Sequence, residues 1–243
     1  MSLPPPTTDP ALVARLRADL DHAAYTVEAV DELLGPLASA ALAREQVLPA
    51  QRATADVGTP LATLVRLFIL GDAVDAEDAS AALPTLGIAG AHRLGLVREQ
   101  GPGVVATCDL RPYADDLHEW WVASDLSEVA TRQPLHEDHV LGLGGASTTL
   151  ASWTPRPHVE RALDLGTGCG VQALHLGAHA DHVTVTDISG RALGYARFNS
   201  ALNDCEWSFA QGSMLDPVAG HRFGLNVHVN NRQSIQPRSG AAL

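Results

Sequence analysis

The sequence contains no lysine. All 16 basic residues of its 243 are arginine, against 28 aspartates and glutamates, and the formal net charge is −12. A chain rich in Ala, Arg and Gly and free of Lys points to a high-GC bacterial genome. Cysteine is scarce as well. Cys108, Cys169 and Cys205 lie far apart with no CxxC among them. That spacing argues against a disulfide scaffold and a cysteine zinc site and fits a reducing cytoplasm. Long apolar runs are missing. The stretch around Leu64–Leu70 is interrupted by Arg66, so no segment reaches the roughly 18 residues of a membrane span. The start, Met1-Ser-Leu-Pro-Pro-Pro, has neither the basic nor the apolar region of a signal peptide. We therefore expect a cytoplasmic protein with no membrane partner.

What is present is enough to fold. Aliphatic and aromatic residues make up 46% and charged residues 18%, the balance of a chain with a core. Charge is split. Residues 1–150 hold 9 Arg against 21 acids, whereas residues 151–243 hold 7 of each. The acidic first part repels phosphate backbones, which argues against strong nonspecific nucleic-acid binding there. The split also suggests two units, 1–138 and 139–243.

The first unit reads as helical. Residues 3–10 form a disordered or extended leader. Leu12, Leu16 and Leu20 share one helix face, and Val27, Val30, Leu33, Leu34 and Leu37 another, with a break at Gly35-Pro36. Thr59-Pro60 is a helix start, and Gly71 a stop. Short helices follow over Ala76–Leu83 and Ile88–Leu94. Leu96–Arg98 and Val104–Thr107 then flank a Gly101-Pro102-Gly103 turn as a β-hairpin. Three helices and a hairpin make the layout of a winged helix. With only Arg93 and Arg98 near the would-be recognition helix, the charge favours a packing role over DNA binding. Trp120-Trp121-Val122 is read as a buried strand.

From residue 139 the pattern changes. Val140–Ser147 is a glycine-rich loop, Thr148–Trp153 a short helix and Pro155-Arg156-Pro157 a linker. Strands at Arg161–Asp164, His182–Thr186, Trp207–Ala210 and Phe223–Val229 then alternate with helices at Val171–His179 and Ser189–Asn203. Such alternation predicts a parallel, doubly wound α/β sheet.

The chemistry-bearing features lie in this second unit. Asp164-Leu-Gly166-Thr167-Gly168-Cys-Gly170 falls between a strand and a helix. Its glycines admit a ligand to the backbone, and the helix start offers free N–H groups. The third glycine comes one residue too early for a dinucleotide fingerprint, and Val171 argues against a nicotinamide cofactor. Asp187 ends the next strand, where a carboxylate can accept both hydroxyls of a ribose. His175, His179 and His182 lack the Glu of HExxH and are read as surface residues rather than metal ligands. Cys169 is read as a small residue packed beside a cofactor, although a helix start can also activate a thiol.

Asp164–Gly170, Asp187, Asn199 and Gln211-Gly-Ser213 resemble the cofactor motifs of class I S-adenosylmethionine (SAM) methyltransferases. The resemblance is nearest to the small-methyltransferase-domain group, which contains release-factor glutamine methyltransferases and rRNA guanine or adenine methyltransferases. Together with His139–Thr149, Ala162–Ala178 and Ala196–Asn203, the chain is similar to a two-part actinobacterial member. The resemblance implies a helical or winged-helix front module and a Rossmann-like SAM domain. Gly166, Thr167, Gly168 and Gly170 would meet the amino-acid part of SAM, Asp164 its amino group, Asp187 its ribose and Ser213 the adenine edge. The Gly142–Gly145 loop would flank the mouth. The implied acceptor is a planar nitrogen of a protein glutamine, an rRNA base or a small-molecule amine.

The group carries Asn-Pro-Pro-aromatic after its fourth strand. Here Asn230-Asn231-Arg232-Gln233 stands there, so only Asn230 matches as a catalytic residue. The group's sheet has about seven strands and this sequence supplies four. We therefore expect an incomplete sheet with its fourth strand at an edge, in a chain truncated or altered at its C-terminus and impaired in transfer. A noncatalytic SAM-binding or interaction protein or a fragment completed by another chain, an NAD(P)-dependent reductase, and a winged-helix regulator stay open at this point.

Overall fold

The computed structural model describes residues 3–131 and 134–228. Residues 3–9 are extended rather than loose. Thr7 N–H donates to the Leu94 carbonyl at 2.8 Å. Pro5 packs on Gly194 so closely that a Cβ there would stand 2.5 Å from the proline ring. Asp9 then caps helix α1 (Pro10–His22), accepting the amides of Ala11 and Leu12. Leu12, Leu16 and Leu20 are buried along it, as their spacing requires.

Helix α2 (Val27–Leu42) bends at Gly35, whose φ of 70° precedes Pro36. After α3 (Leu48–Thr54), Thr59 caps α4 (Pro60–Leu64), which continues as one π-helical turn over Val65–Ile69. Then come β1 (Val74–Asp75), α5 (Ala76–Ala82), α6 (Gly87–Leu94), β2 (Val97–Gln100) and β3 (Gly103–Ala106). Gly95, at φ 79°, ends α6 in the left-handed conformation that favours glycine. Strands β1–β3 form an antiparallel sheet in the order β1-β3-β2.

A second hairpin pairs β4 (Asp109–Ala114) with β5 (Glu119–Ser124). Sequence reading finds β5 through Trp120–Val122 and misses β4, whose Pro112 and two charges blur its alternation. Trp120 is buried, and Trp121 is half-buried, donating its ring N–H to the Tyr25 carbonyl at 2.8 Å. Helix α7 (Glu128–Thr131) and a strap over residues 134–144 lead to α8 (Gly145–Trp153), which starts three residues earlier than expected.

The second unit alternates as its sequence predicts: β6 (Val159–Leu165), α9 (Val171–Gly177), β7 (Ala180–Asp187), α10 (Gly190–Leu202), β8 (Trp207–Gln211), a 3-10 turn (Asp216–Val218) and β9 (Leu225–His228). Among the described residues the four strands are parallel in the order β8-β7-β6-β9. Strand β9 pairs with β6 alone there. It starts at Leu225, two residues later than the expected Phe223–Val229, Asn226 is paired within it, and Val229 lies outside the described residues.

Among the described residues, one apolar cluster runs from Leu12 and Leu16 on α1 to Tyr195, Phe198 and Leu202 on α10, and a second, with Ala162, Val183, Val185 and Val227, lies on the parallel sheet. Two side-chain amides join the hairpin to α10. Asn199 Oδ1 accepts Ala123 N–H at 2.8 Å, and its Nδ2 donates to the carbonyls of Ala123 and Cys169. Asn203 brackets Trp121 in the same way. Among the described residues no helix is long and apolar enough to cross a membrane.

Candidate functional site

The glycine turn leaves β6 at Leu165. Gly166, Gly168 and Gly170 have φ of 73°, 57° and 94°, a run of left-handed conformations that side-chain-bearing residues rarely adopt. The turn is pinned to the neighbouring strand, because the amides of Gly166 and Thr167 both donate to the Thr186 carbonyl, at 2.8 and 2.9 Å.

Two carboxylates frame this turn. Asp187 ends β7. Its Oδ2 accepts the Gly168 amide at 3.0 Å and its Oδ1 the Ser189 amide at 2.8 Å. Asp164 lies beneath the turn, with no exposed surface. Its Oδ2 accepts the Thr167 hydroxyl at 2.6 Å, while Oδ1 has no hydrogen-bond partner. Burial drives the Asp164 pKa up from 3.8, partly offset by the Thr167 hydroxyl and the nearby Ala173 amide, to about 7.

A cleft of about 340 Å³ opens over the turn. Gly166, Thr167, Gly168, Cys169 and Asp187 form one side of it, Ser189 and Ala192 a second, and the strap residues Glu137–Gly142 a third. Ser147, Val171 and Gln172 complete the wall, with the Gln172 amide donating to the Ser147 carbonyl at 2.7 Å. A larger cleft of about 560 Å³ lies against the first unit and shares His139, Leu141, Gly142 and Ser147 with the first. Its floor holds the buried Asp109, paired with Arg111.

Of the sequence-predicted residues, the fold brings Gly166, Thr167, Gly168 and Asp187 to the cleft wall. Asp164 stands one layer below. Gly170 is not part of the wall. A Cβ there would stand 2.7 Å from the Trp207 ring, so this glycine serves packing. Ser213 is exposed and outside the wall, although Gly212 N–H donates to the Asp187 carbonyl at 3.1 Å and holds that segment beside the site. Asn230 lies outside the described residues. Asn199, quoted among the cofactor motifs, is wholly buried and joins the two units instead.

One further reading is corrected. His175 is not a surface residue. It is buried on α9, with Nε2 accepting the Tyr113 hydroxyl at 2.7 Å and Nδ1 facing Asp115 at 3.3 Å, a tautomer assigned from these partners. Cys169 is buried in the turn, and burial pushes its thiol pKa up to about 12, in keeping with a packed residue rather than an activated one. Sequence reading missed the strap 137–141, Gln172, Ser189 and Ala192. The helix-capping role of Ser189 was the one available signal for the last two. Among the described residues no group of three or more His, Cys, Asp or Glu side chains is placed to hold a metal ion.

Two family models match separate stretches of the chain. Residues 142–231 match the family model described as Methyltransferase small domain, and residues 22–107 a domain of unknown function, DUF7059. A 78-residue stretch is 45% identical to the release factor glutamine methyltransferase of Deinococcus radiodurans, covering 31% of this chain and 27% of that protein. A 94-residue stretch is 31% identical to the ubiquinone biosynthesis O-methyltransferase of Aromatoleum aromaticum, covering 37% of this chain and 35% of that protein. The chain thus spans about a quarter to a third of these relatives' lengths. Among solved structures, a T. thermophilus 16S rRNA N2 methyltransferase in complex with AdoMet and guanosine aligns with a TM-score of 0.39 and 16% identity. That alignment covers 74% of this chain and 53% of the other.

Proposed function

We propose that the chain, which carries a methyltransferase small domain over residues 142–231, binds S-adenosylmethionine in the cleft above the glycine turn. The observation that carries this reading is the fixed carboxylate of Asp187. Two backbone amides hold its oxygens at the rim, and the remaining lone pairs are left for two vicinal hydroxyls. Gly166 and Gly168 let the backbone approach the amino-acid part of the ligand, with Thr167 between them. The partnerless Oδ1 of Asp164 suits an ammonium group, reached directly or through a water. The segment at Ser213 runs along the adenine edge, and Gly170 supports the turn from behind.

The bound cofactor supplies an electrophilic methyl group on a sulfonium. The chain's part in transfer is positioning, which aims an acceptor lone pair at that methyl. The acceptor class is a planar amino or amide nitrogen of a protein glutamine, an rRNA base or a small-molecule amine, and the setting is a bacterial cytoplasm. The first unit, with α4, β1, α5, α6, β2 and β3 in that order, is read as a winged helix used for packing. Its acidic composition argues against nonspecific nucleic-acid binding.

Transfer is impaired in this reading, because Asn230-Asn231-Arg232-Gln233 replaces the Asn-Pro-Pro-aromatic of the group. Asn230 alone matches the motif, and its side-chain oxygen is able to accept from an acceptor N–H₂. A noncatalytic SAM-binding protein is the limiting case. Calorimetric titration with S-adenosylhomocysteine tests the cofactor site. Micromolar binding by wild type that Asp187→Ala abolishes is expected, and no binding by the folded wild-type chain overturns it. Measurable methylation of a release factor or ribosomal substrate overturns the impairment.

A further inference from the structure

Asp125 follows β5 and does not line the cofactor cleft, yet it joins two of the cleft's walls. Its backbone N–H donates to the Val140 carbonyl at 3.2 Å, and its Oδ2 accepts the Val140 N–H at 2.8 Å. The strap is thereby gripped through both polar groups of one residue. On the other side the same carboxylate pairs with the Arg191 guanidinium, Nε reaching Oδ2 at 3.2 Å and the terminal nitrogen contacting Oδ1. Oδ1 also accepts the Tyr195 hydroxyl at 2.7 Å. Arg191 and Tyr195 stand in the first turns of α10, whose capping Ser189 and Ala192 line the cleft.

Other groups face this anchor. His139 Nδ1 lies 3.9 Å from Asp125, and Asp138 lies 4.0 Å from Arg191. Arg191 also donates to the Leu3 carbonyl, so the extended leader is drawn into the anchor. Gly142 shows how closely the strap lies on β5. A Cβ there would stand 2.3 Å from Ser124 Oγ. A carboxylate that accepts several donors in a half-buried place makes charge-assisted bonds that hold geometry well.

We propose that Asp125 is a positioning residue through which the first unit sets the spacing between the strap and the start of α10, and so holds the cofactor cleft closed around its ligand. The inference rests on the cofactor reading above. It makes the first unit part of the binding device, with ligand residence depending on a residue that never touches the ligand.

The test measures the dissociation constant and dissociation rate of S-adenosylhomocysteine on the full chain, with hydrogen exchange over residues 137–142. Asp125→Asn places an N–H₂ among donors. It is expected to weaken binding about ten-fold, chiefly through faster dissociation, with faster exchange in the strap. Gly142→Ala shifts the strap without changing charge and is expected to act in the same direction, which keeps the test intact if the first variant does not fold. Asp115→Asn removes an ion cluster between the units outside both clefts. It is expected to lower Tm and leave binding unchanged. Binding by Asp125→Asn within about two-fold of wild type, with a lowered Tm, would reduce Asp125 to a structural tie. Failure of the wild-type chain to bind would instead overturn the cofactor reading, and this inference with it.

Discussion

The Gly168 amide donates to Asp187 Oδ2 at 3.0 Å, which joins the turn after one strand to the acid ending the next. The two features are nineteen residues apart in the sequence but form one unit in space. Asp187 therefore has two duties, holding the turn and presenting lone pairs to the cleft. Asp187→Asn keeps the volume but turns an N–H₂ toward one of its two amide donors. We expect at least about a ten-fold loss of S-adenosylhomocysteine affinity by calorimetry, and a lower Tm by scanning fluorimetry. An unchanged Tm with lost affinity would assign Asp187 to the ligand alone.

On the proposed reading, Asp164 should make cofactor binding depend on pH. Burial raises its pKa from 3.8 to about 7, so near neutrality the empty site holds a mixture of acid and carboxylate. A ligand ammonium favours the carboxylate. Affinity should therefore rise as pH rises through about 7 and then level, with proton release on binding. The stability sign is opposite. A folded-state pKa above the unfolded one favours the protonated fold, so this group's contribution is full below 3.8 and is lost as pH rises toward 7. Asp164→Asn should flatten both dependences. Calorimetry in buffers of different ionisation enthalpy counts the released protons, and a count of zero at neutral pH would contradict the assignment.

Gly170 should tolerate no side chain. Its φ of 94° lies in the region that favours glycine, and a Cβ would meet the Trp207 ring at 2.7 Å. Gly170→Ala should cost about 1–3 kcal/mol from backbone strain, before the ring moves. Chemical denaturation measures this, and a loss below about 0.5 kcal/mol would show that the turn relaxes freely.

The contact between the hairpin and α9 should weaken in mild acid. Burial lowers the His175 pKa, against the pull of Asp115, so the fold holds the neutral ring. A lowered histidine contributes stability above its ordinary 6.5 that is lost as pH falls below it. Burial pushes the Asp115 pKa up, but the amides of Leu117 and His118 and the His118 ring outweigh it and bring it to about 2. Its contribution is present above 3.8 and is lost only in strong acid. Tm should therefore fall between about pH 7 and pH 5, and His175→Gln should lose most of that slope. A parallel fall in wild type and variant would place the titration elsewhere.

Much of the architecture was legible because it rests on local rules. The leucine spacing of α1, the Thr59-Pro60 start, the Ser189 cap and the strand–helix alternation after residue 158 are short-range patterns, and each forms where expected. The glycine turn was legible for the same reason, since left-handed backbone restricts residue type at the position itself. Strand β4 was not, because its burial comes from β5 and the hairpin's neighbours rather than from its own alternation.

The sequence by itself determined the parallel sheet, the glycine turn and the acid at the end of β7. Tertiary structure decided which of those residues face the cleft. Gly170 and Asn199 carry motif positions yet are spent on packing and on joining the units, while a strap without regular secondary structure supplies a whole wall. His175 was misread because a lone helical histidine looks solvent-facing until a hairpin sixty residues upstream covers it. The reason is physical. Backbone conformation is limited by the residue that adopts it, whereas burial, pairing and the sides of a cleft are set by whatever the rest of the chain brings alongside.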